Sequence, residues 1–571
     1  MSKRDHIDEL LEASPLFSTL PAEVTLLIKA KLTETTIESG DWLMRKGDAG
    51  DALYIVDAGR LEVVLGEQEE VAREDDETMR VLRVLGRGAT VGELALVTGD
   101  PRSASVRANR DSTLLRLSHD DFQELIATEP TFAGALTAVL GRQLQVSGGF
   151  REDEPATQTI AIVPLVEGMN SDIIAEAVLA AFDPREDVAL MERSTSDVGS
   201  PADWGRKLDE LEETHDRVLL VAEHALSDWR KFCVRQADRL VCLAPPEPPP
   251  AERTMPRLRG CDLVLLGEEH PPEIAAVWLE RLRPRARHRV RAGAGREADL
   301  ARVARRVTGR SLGLVLGGGG ARGYAHLGVL EVLEENGIAV DRIGGTSMGG
   351  IVASTFAYGL NAAQRRQAVK SFFSPRVRHS YQLPPRSALA RTERALETMQ
   401  GVFGDQQIET LPIDLFTVAA DLVAAQMVVQ RRGSVAEAAM STARIPAILP
   451  PGRAAGRLLV DGGLIRNLPV DVMSQTGEGP VVAIEVGGRF DPPIDEDGDP
   501  ALPGIGETLM RSVLLGSAAA GSSVIASADL LLEPDVSGMK MMAFGEIQRG
   551  IAIGRAAATA RLDEIRALTS R

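Results

Sequence analysis

Residues Ile343-Gly344-Gly345-Thr346-Ser347-Met348-Gly349-Gly350-Ile351-Val352 constrain the fold of this 571-residue chain more than any other stretch. Glycines two positions before and two after Ser347 permit the strained strand-to-helix turn that lifts a serine hydroxyl above a sheet, a nucleophile elbow. Upstream, the apolar strand Leu312-Gly313-Leu314-Val315-Leu316 runs into Gly317-Gly318-Gly319-Gly320-Ala321-Arg322-Gly323. A helix follows, with Leu327, Val329, Leu330 and Leu333 on its buried face and Asn336-Gly337 as its stop. Strand, glycine loop and helix make an anion-binding geometry. Downstream, Leu458-Leu459-Val460 leads into Asp461-Gly462-Gly463.

A serine hydroxyl at its free pKa is a poor nucleophile, so a neighbouring base must take its proton. The chain has eight histidines. His326 lies on the helix after the glycine loop and His379 in a basic, proline-flanked loop. Neither follows the serine in a segment resembling a hydrolase histidine loop, so a histidine triad has thin support. Asp461, held beside glycines at the end of an apolar run, can approach Ser347 directly, and a Ser347–Asp461 dyad is the better reading. A competing reading takes Gly318 to Gly323 as a dinucleotide fingerprint with Asp341 as its acidic residue, giving a dinucleotide-binding oxidoreductase. The elbow at Gly345 to Gly349 has no use there. A nucleotide P-loop fails because no Gly-Lys-Ser/Thr follows.

Length implies three or four units. An apolar fraction of 44% and a mean hydropathy of -0.04 describe a globular chain. No long uncharged apolar stretch and no secretory leader are evident, so the expectation is a cytoplasmic protein, with peripheral contact at the inner membrane face left open. The net charge of -18 repels nucleic acid, so any membrane contact must come from a local patch. Cys233, Cys242 and Cys261 have no metal or disulfide spacing, and no metal site is expected.

The first 150 residues read as a β-rich module: glycine-marked turns at Gly40, Gly47, Gly50 and Gly59, an alternating strand over Leu61 to Leu65 and a helix over Ser118 to Ala127. Val91-Gly92-Glu93-Leu94-Ala95-Leu96 followed by Pro101-Arg102-Ser103-Ala104-Ser105-Val106 resembles the phosphate-binding cassette of cyclic nucleotide-binding domains. The chemistry suits the spacing. Backbone N–H groups near Gly92, Leu94 and Ala95, the Ser103 hydroxyl and the Arg102 guanidinium would hold a cyclic phosphate, and Glu93 would accept a bond from the ribose 2′-hydroxyl. The ligand could be cAMP or cGMP, with a lean to cAMP. Buried strands at Thr159 to Val163, Arg217 to Val221 and Arg239 to Leu243 indicate a small α/β unit without a catalytic cluster.

The glycine loop, the elbow and the Asp461 motif, in this order and with Ser441-Thr442-Ala443-Arg444-Ile445-Pro446 between them, resemble patatin-like phospholipases. The whole chain, including Met542-Ala543-Phe544-Gly545, resembles bacterial relatives of neuropathy target esterase. The expected architecture is therefore multidomain: a β-roll cyclic nucleotide-binding domain at 1–150, a small α/β linker domain at 157–300 and an α/β patatin-like hydrolase domain at 308–571 with C-terminal helices. The resemblance implies Ser347 as nucleophile, Asp461 as base and the N–H groups of Gly318, Gly319 and Gly320 as oxyanion hole, with Arg322 steadying that loop. It implies hydrolysis of acyl esters of phospholipids or lysophospholipids, no catalytic cofactor, and a cyclic nucleotide as regulatory ligand. The animal enzymes' N-terminal membrane anchor is not evident here. A non-catalytic cyclic nucleotide sensor with a scaffold hydrolase domain is the alternative, and a homo-oligomer is left open. Further expectations are a basic, aromatic loop from Phe372 to Arg391 that would serve as lid or headgroup contact or else be a plain solvated loop, a surface loop at Asp491 to Asp499, and helices over Gly506 to Ala528 and Gly545 to Thr569.

Overall fold

The computed structural model describes residues 20–65, 80–135, 159–192, 201–249, 258–378, 388–487 and 525–569 apart from isolated positions, together with scattered residues between 7 and 18 and between 499 and 512. The linker at 152–157, most of the loop around His379, Tyr381 and Arg386, the 491–498 loop and most of the 506–528 segment lie outside the described residues.

Two four-stranded antiparallel sheets build the N-terminal module. One holds Thr33–Ile37, Ser112–Ser118, Ala52–Ala58 and Thr90–Val91, in that order; the other holds Trp42–Met44, Ser105–Ala108, Leu61–Leu65 and Arg80–Leu85. Apolar residues of the inner faces, among them Tyr54, Val56, Leu61, Leu85 and Val106, close the roll. A short helix, Glu93–Thr98, enters through Gly92 at φ 95°, a backbone state that glycine adopts readily.

The middle unit is a six-stranded, wholly parallel sheet with helices on both faces, which explains why its four central strands are largely continuous apolar runs. Three strands were legible. The other three, Val188–Glu192, Asp262–Leu266 and Ala286–Val290, were not; in the last, the charges of Ala-Arg-His-Arg-Val hide a strand whose alternate residues are buried. The helix Arg296–Val307 buries Val303, Ala304 and Val307 in this unit's core, so the unit continues beyond residue 300.

The C-terminal unit is an eight-stranded mixed sheet. Its strands are β1 (Gly313–Leu316), β2 (Arg342–Thr346), β3 (Asp414–Asp421), β4 (Gln426–Gln430), β5 (Gly452–Ala454), β6 (Arg457–Asp461), β7 (Val481–Ile484) and β8 (Leu530–Leu532). The order is β5-β6-β3-β2-β1-β7-β8, with β4 paired to β3. β1, β2, β3, β7 and β8 run parallel, while β4 and β6 run antiparallel to β3. Helix α1 (Tyr324–Glu335) follows β1 after the glycine loop, and α2 (Met348–Ala357) follows β2 after the single residue Ser347. The C-terminal helix α3 (Ile547–Ala560) lies against α1 and, with Ile551 and Ala558, joins the core beneath.

Ion pairs tie the units together. Arg60 meets Asp238 at 2.8 Å and Arg110 meets Glu212 at 2.7 Å between roll and middle unit; all four side chains are largely buried. Arg306 meets Glu478 and Arg305 meets Asp341, both at 2.6 Å, between middle unit and C-terminal unit. Asp341, the residue a dinucleotide reading would place on a ribose, is committed to that contact. Arg342, at the base of β2, donates to Thr476 Oγ1 at 2.6 Å and to the Ser311 carbonyl at 2.9 Å, so the strand that ends at Ser347 is anchored at its origin. Among the described residues no helix is long and apolar enough to cross a membrane.

Candidate active site

β2 ends at Thr346 and α2 begins at Met348, which leaves Ser347 at φ 55° and ψ -124° on the turn between them. That strain is tolerated because the neighbouring backbone leaves little alternative: a Cβ at Gly345 or Gly349 would overlap the Leu316 carbonyl oxygen. Both glycines are therefore needed to bring the end of β1 against the elbow. Thr442 completes the support. Its hydroxyl accepts from the Ser347 N–H at 2.9 Å and donates to the Val418 carbonyl at 2.5 Å.

β6 runs antiparallel to β3 with Asp461 opposite Ala419, which delivers its carboxylate to the elbow. Ser347 Oγ donates to Asp461 Oδ2 at 2.7 Å, and Asp461 Oδ1 accepts from the Gly463 N–H at 2.8 Å. Both side chains are buried. Burial pushes the Asp461 carboxyl up to about 6, against the two hydrogen bonds that pull it down. A carboxylate in this state is a better proton acceptor than one in water, yet it remains ionised at neutral pH.

His326 is turned elsewhere. Its Nε2 lies 2.8 Å from the Gly317 carbonyl, and burial lowers its pKa to about 4, so the ring is neutral and donates to that carbonyl. It braces the start of the glycine loop.

In that loop, Gly317 donates to Ile484 O at 3.0 Å and Gly318 to Asn467 O at 3.3 Å. The N–H groups of Gly319 and Gly320 have no protein acceptor among the described residues. Of the three expected donors, Gly318 is thus engaged and two are available. Arg322 ties the loop down, donating through Nε to Met539 O at 2.7 Å and through Nη1 to Gly487 O at 2.5 Å.

Asn467 was not singled out in the sequence. Its carbonyl takes the Gly318 N–H, and its Nδ2 donates at 3.0 Å to the Gly318 carbonyl. The Gly318 carbonyl and the Gly319 N–H share one planar peptide, so holding the first orients the second. The only signal was position, six residues after Asp461 on the same turn that lets Arg466 O accept from Thr346 Oγ1 at 2.9 Å.

In the roll, Gly92, Glu93 and Arg102 come together. The buried Arg102 guanidinium donates to Gly92 O at 2.9 Å, Ala52 O at 2.8 Å and Asp51 Oδ1 at 2.8 Å. Glu93 and Ala95 are buried, whereas Leu94 and Ser103 face outward.

A family model described as patatin-like phospholipase matches residues 314–474, and one described as cyclic nucleotide-binding domain matches residues 34–129. An uncharacterised NTE family protein of Mycobacterium tuberculosis is 31% identical over 96% of this chain and 95% of its own length. The chain belongs to the NTE family. Human patatin-like phospholipase domain-containing protein 6 is 29% identical over 81% of this chain and 38% of its own length, and rat patatin-like phospholipase domain-containing protein 7 is 30% identical over 81% and 39%. This NTE-family chain is a patatin-like phospholipase, a lipid ester hydrolase that carries a cyclic nucleotide-binding domain at its N-terminal end.

Proposed function

We propose that this NTE-family hydrolase cleaves acyl esters of phospholipids or lysophospholipids through a Ser347–Asp461 dyad, without a histidine. The observation that carries the reading is the 2.7 Å contact from Ser347 Oγ to a buried carboxylate whose other oxygen is held by Gly463. Asp461 takes the hydroxyl proton as Ser347 Oγ attacks the ester carbonyl. The carbonyl oxygen becomes an oxyanion, which the Gly319 and Gly320 N–H groups receive, oriented by Asn467 and by the Arg322 anchor; one such donor contributes roughly 2.7–4 kcal/mol. Asp461 returns the proton to the departing alcohol and leaves an acyl-serine. Water, deprotonated by the same carboxylate, releases the fatty acid.

The second part of the proposal is regulatory. A cyclic nucleotide, cAMP in the first instance, binds at Glu93 and Arg102 and changes turnover through the ion-paired contacts of the middle unit. That coupling requires different nucleotide affinity in two states of the hydrolase. The protein works in the cytoplasm, at the inner face of the membrane. Fluorophosphonate labelling of wild type, Ser347→Ala and Asp461→Asn, with hydrolysis assayed with and without cAMP or cGMP and repeated for Arg102→Ala, tests both parts. Labelling of Ser347→Ala would overturn the first; equal rates in all nucleotide conditions would overturn the second.

A further inference from the structure

The hairpin that joins β3 to β4 is unlike an ordinary surface turn. Its tip is Leu422-Val423-Ala424-Ala425, four apolar residues in a row, all exposed. Leu422 is 53% and Val423 77% accessible. Turns of this kind favour Gly, Asn or Asp where the backbone is left-handed. Here that place is taken by Ala425, at φ 54°, so the tip stays apolar against local backbone preference.

Its backbone donors are also already used. Leu422 N donates to Leu458 O at 2.8 Å, Val423 N and Ala424 N to Asp421 Oδ1 at 2.9 and 3.3 Å, and Ala425 N to Asp421 O at 2.9 Å. An apolar tip with satisfied N–H groups can leave water without stranding donors, which lowers the cost of burying it at a bilayer surface.

The tip stands beside the candidate site. Leu422 is bonded to Leu458, three residues before Asp461 on β6, which places it roughly 10 Å beyond the Ser347–Asp461 pair at the strand rise. It lies beyond the same end of the sheet from which Ser347 projects, since β2 and β3 run parallel with Thr346 opposite Val418. The adjacent β5–β6 hairpin presents Arg453 and Arg457, both exposed. Arg457 has a distant contact with Asp421 at 3.9 Å and Arg453 has no acidic partner among the described residues. Two outward cations thus stand beside the apolar tip. They complement anionic headgroups.

We propose that the Leu422–Ala425 tip inserts into the headgroup layer of an anionic bilayer while Arg453 and Arg457 hold lipid phosphates, setting the mouth of the site at the depth of the acyl ester. This rests on the reading of Ser347 as the nucleophile of a lipid esterase. The full-length chain is sedimented with vesicles of phosphatidylcholine alone and of phosphatidylcholine with phosphatidylglycerol. In parallel it is assayed on a water-soluble short-chain ester and labelled with a fluorophosphonate.

Wild type should bind the mixed vesicles more tightly than the neutral ones. Leu422→Ser with Val423→Ser should weaken vesicle binding at least about tenfold, since each side chain loses most of its transfer energy. Arg453→Gln with Arg457→Gln should abolish the preference for phosphatidylglycerol. Soluble-ester turnover and labelling should persist in both variants, and Leu190→Ser, at an exposed apolar residue of the middle unit, should leave vesicle binding unchanged. Undiminished binding by the Leu422/Val423 variant, absence of vesicle binding by a labelled wild type, or an equal loss in Leu190→Ser overturns the proposal. A wild type that binds vesicles but is neither labelled nor active would instead remove the esterase reading and leave the docking surface standing.

Discussion

Replacing Asp461 with Asn separates the cost of this site from its use. The carboxyl is raised from 3.8 to about 6 by burial, a net shift of about two units that already includes the bonds from Gly463 and Ser347. At about 1.4 kcal/mol per unit, the buried charge opposes folding by some 2–3 kcal/mol. The sign follows from proton uptake. With its pKa higher in the folded chain, the group costs stability in full above pH 6, and the cost fades as pH falls through 6 toward 3.8, where both states are protonated. Asn is neutral and nearly isosteric, so its Oδ1 can still accept from Gly463. Asp461→Asn should therefore lose about 10²–10⁴-fold in ester hydrolysis. It should also melt higher than wild type at pH 8, by roughly 5–10 °C for a unit of this size. Differential scanning calorimetry at pH 8 and pH 4.5, beside an ester assay, measures both; the melting difference should shrink at the lower pH. Wild-type turnover should fall below pH 6 with one protonation. A variant less stable than wild type at pH 8, or one that keeps turnover within tenfold, refutes the account of Asp461 as a strained buried base.

Asn467→Ala should lower kcat about 10–100-fold with little change in KM, because it loosens the peptide that aims the Gly319 donor without touching the ground-state ester; steady-state kinetics on one soluble ester checks this. Arg102→Ala should weaken cyclic nucleotide binding by about 10²-fold, through loss of the proposed charge-assisted contact to the cyclic phosphate, as read by calorimetric titration. Gly554→Ala should destabilise the hydrolase unit by about 1–3 kcal/mol, since a methyl there would overlap the Ala325 carbonyl oxygen where α3 crosses α1; denaturant melts monitor it.

Local chemistry made much of this legible. The elbow, the glycine loop, helix α1 with its Asn336 stop and the strand ending at Asp461 each carry their signal within about ten residues, because glycine backbone freedom and helical periodicity are short-range properties. The cassette around Glu93 and Arg102 was legible for the same reason, as was the C-terminal helix α3. Half of the middle unit's strands were not. Ala286–Val290 reads as a charged segment, and its arginines make sense only once Arg287 and Arg289 are seen donating to Ile408 O and Thr410 O of the next unit.

By itself the sequence pointed to Ser347 on its elbow, to Asp461 as its acidic neighbour and to the family resemblance, since each depends on residue type at fixed spacing. Tertiary structure alone decided which donors remain open in the glycine loop, that His326 meets the Gly317 carbonyl, and that Asn467 holds the Gly318 peptide. It also decided that an apolar hairpin tip and two arginines share one rim with Asp461. Most of these depend on contacts between residues far apart in the chain, such as Gly318 with Asn467, 149 positions away. No local pattern encodes them, because packing and the pairing of buried polar groups are settled only when the whole sheet has assembled.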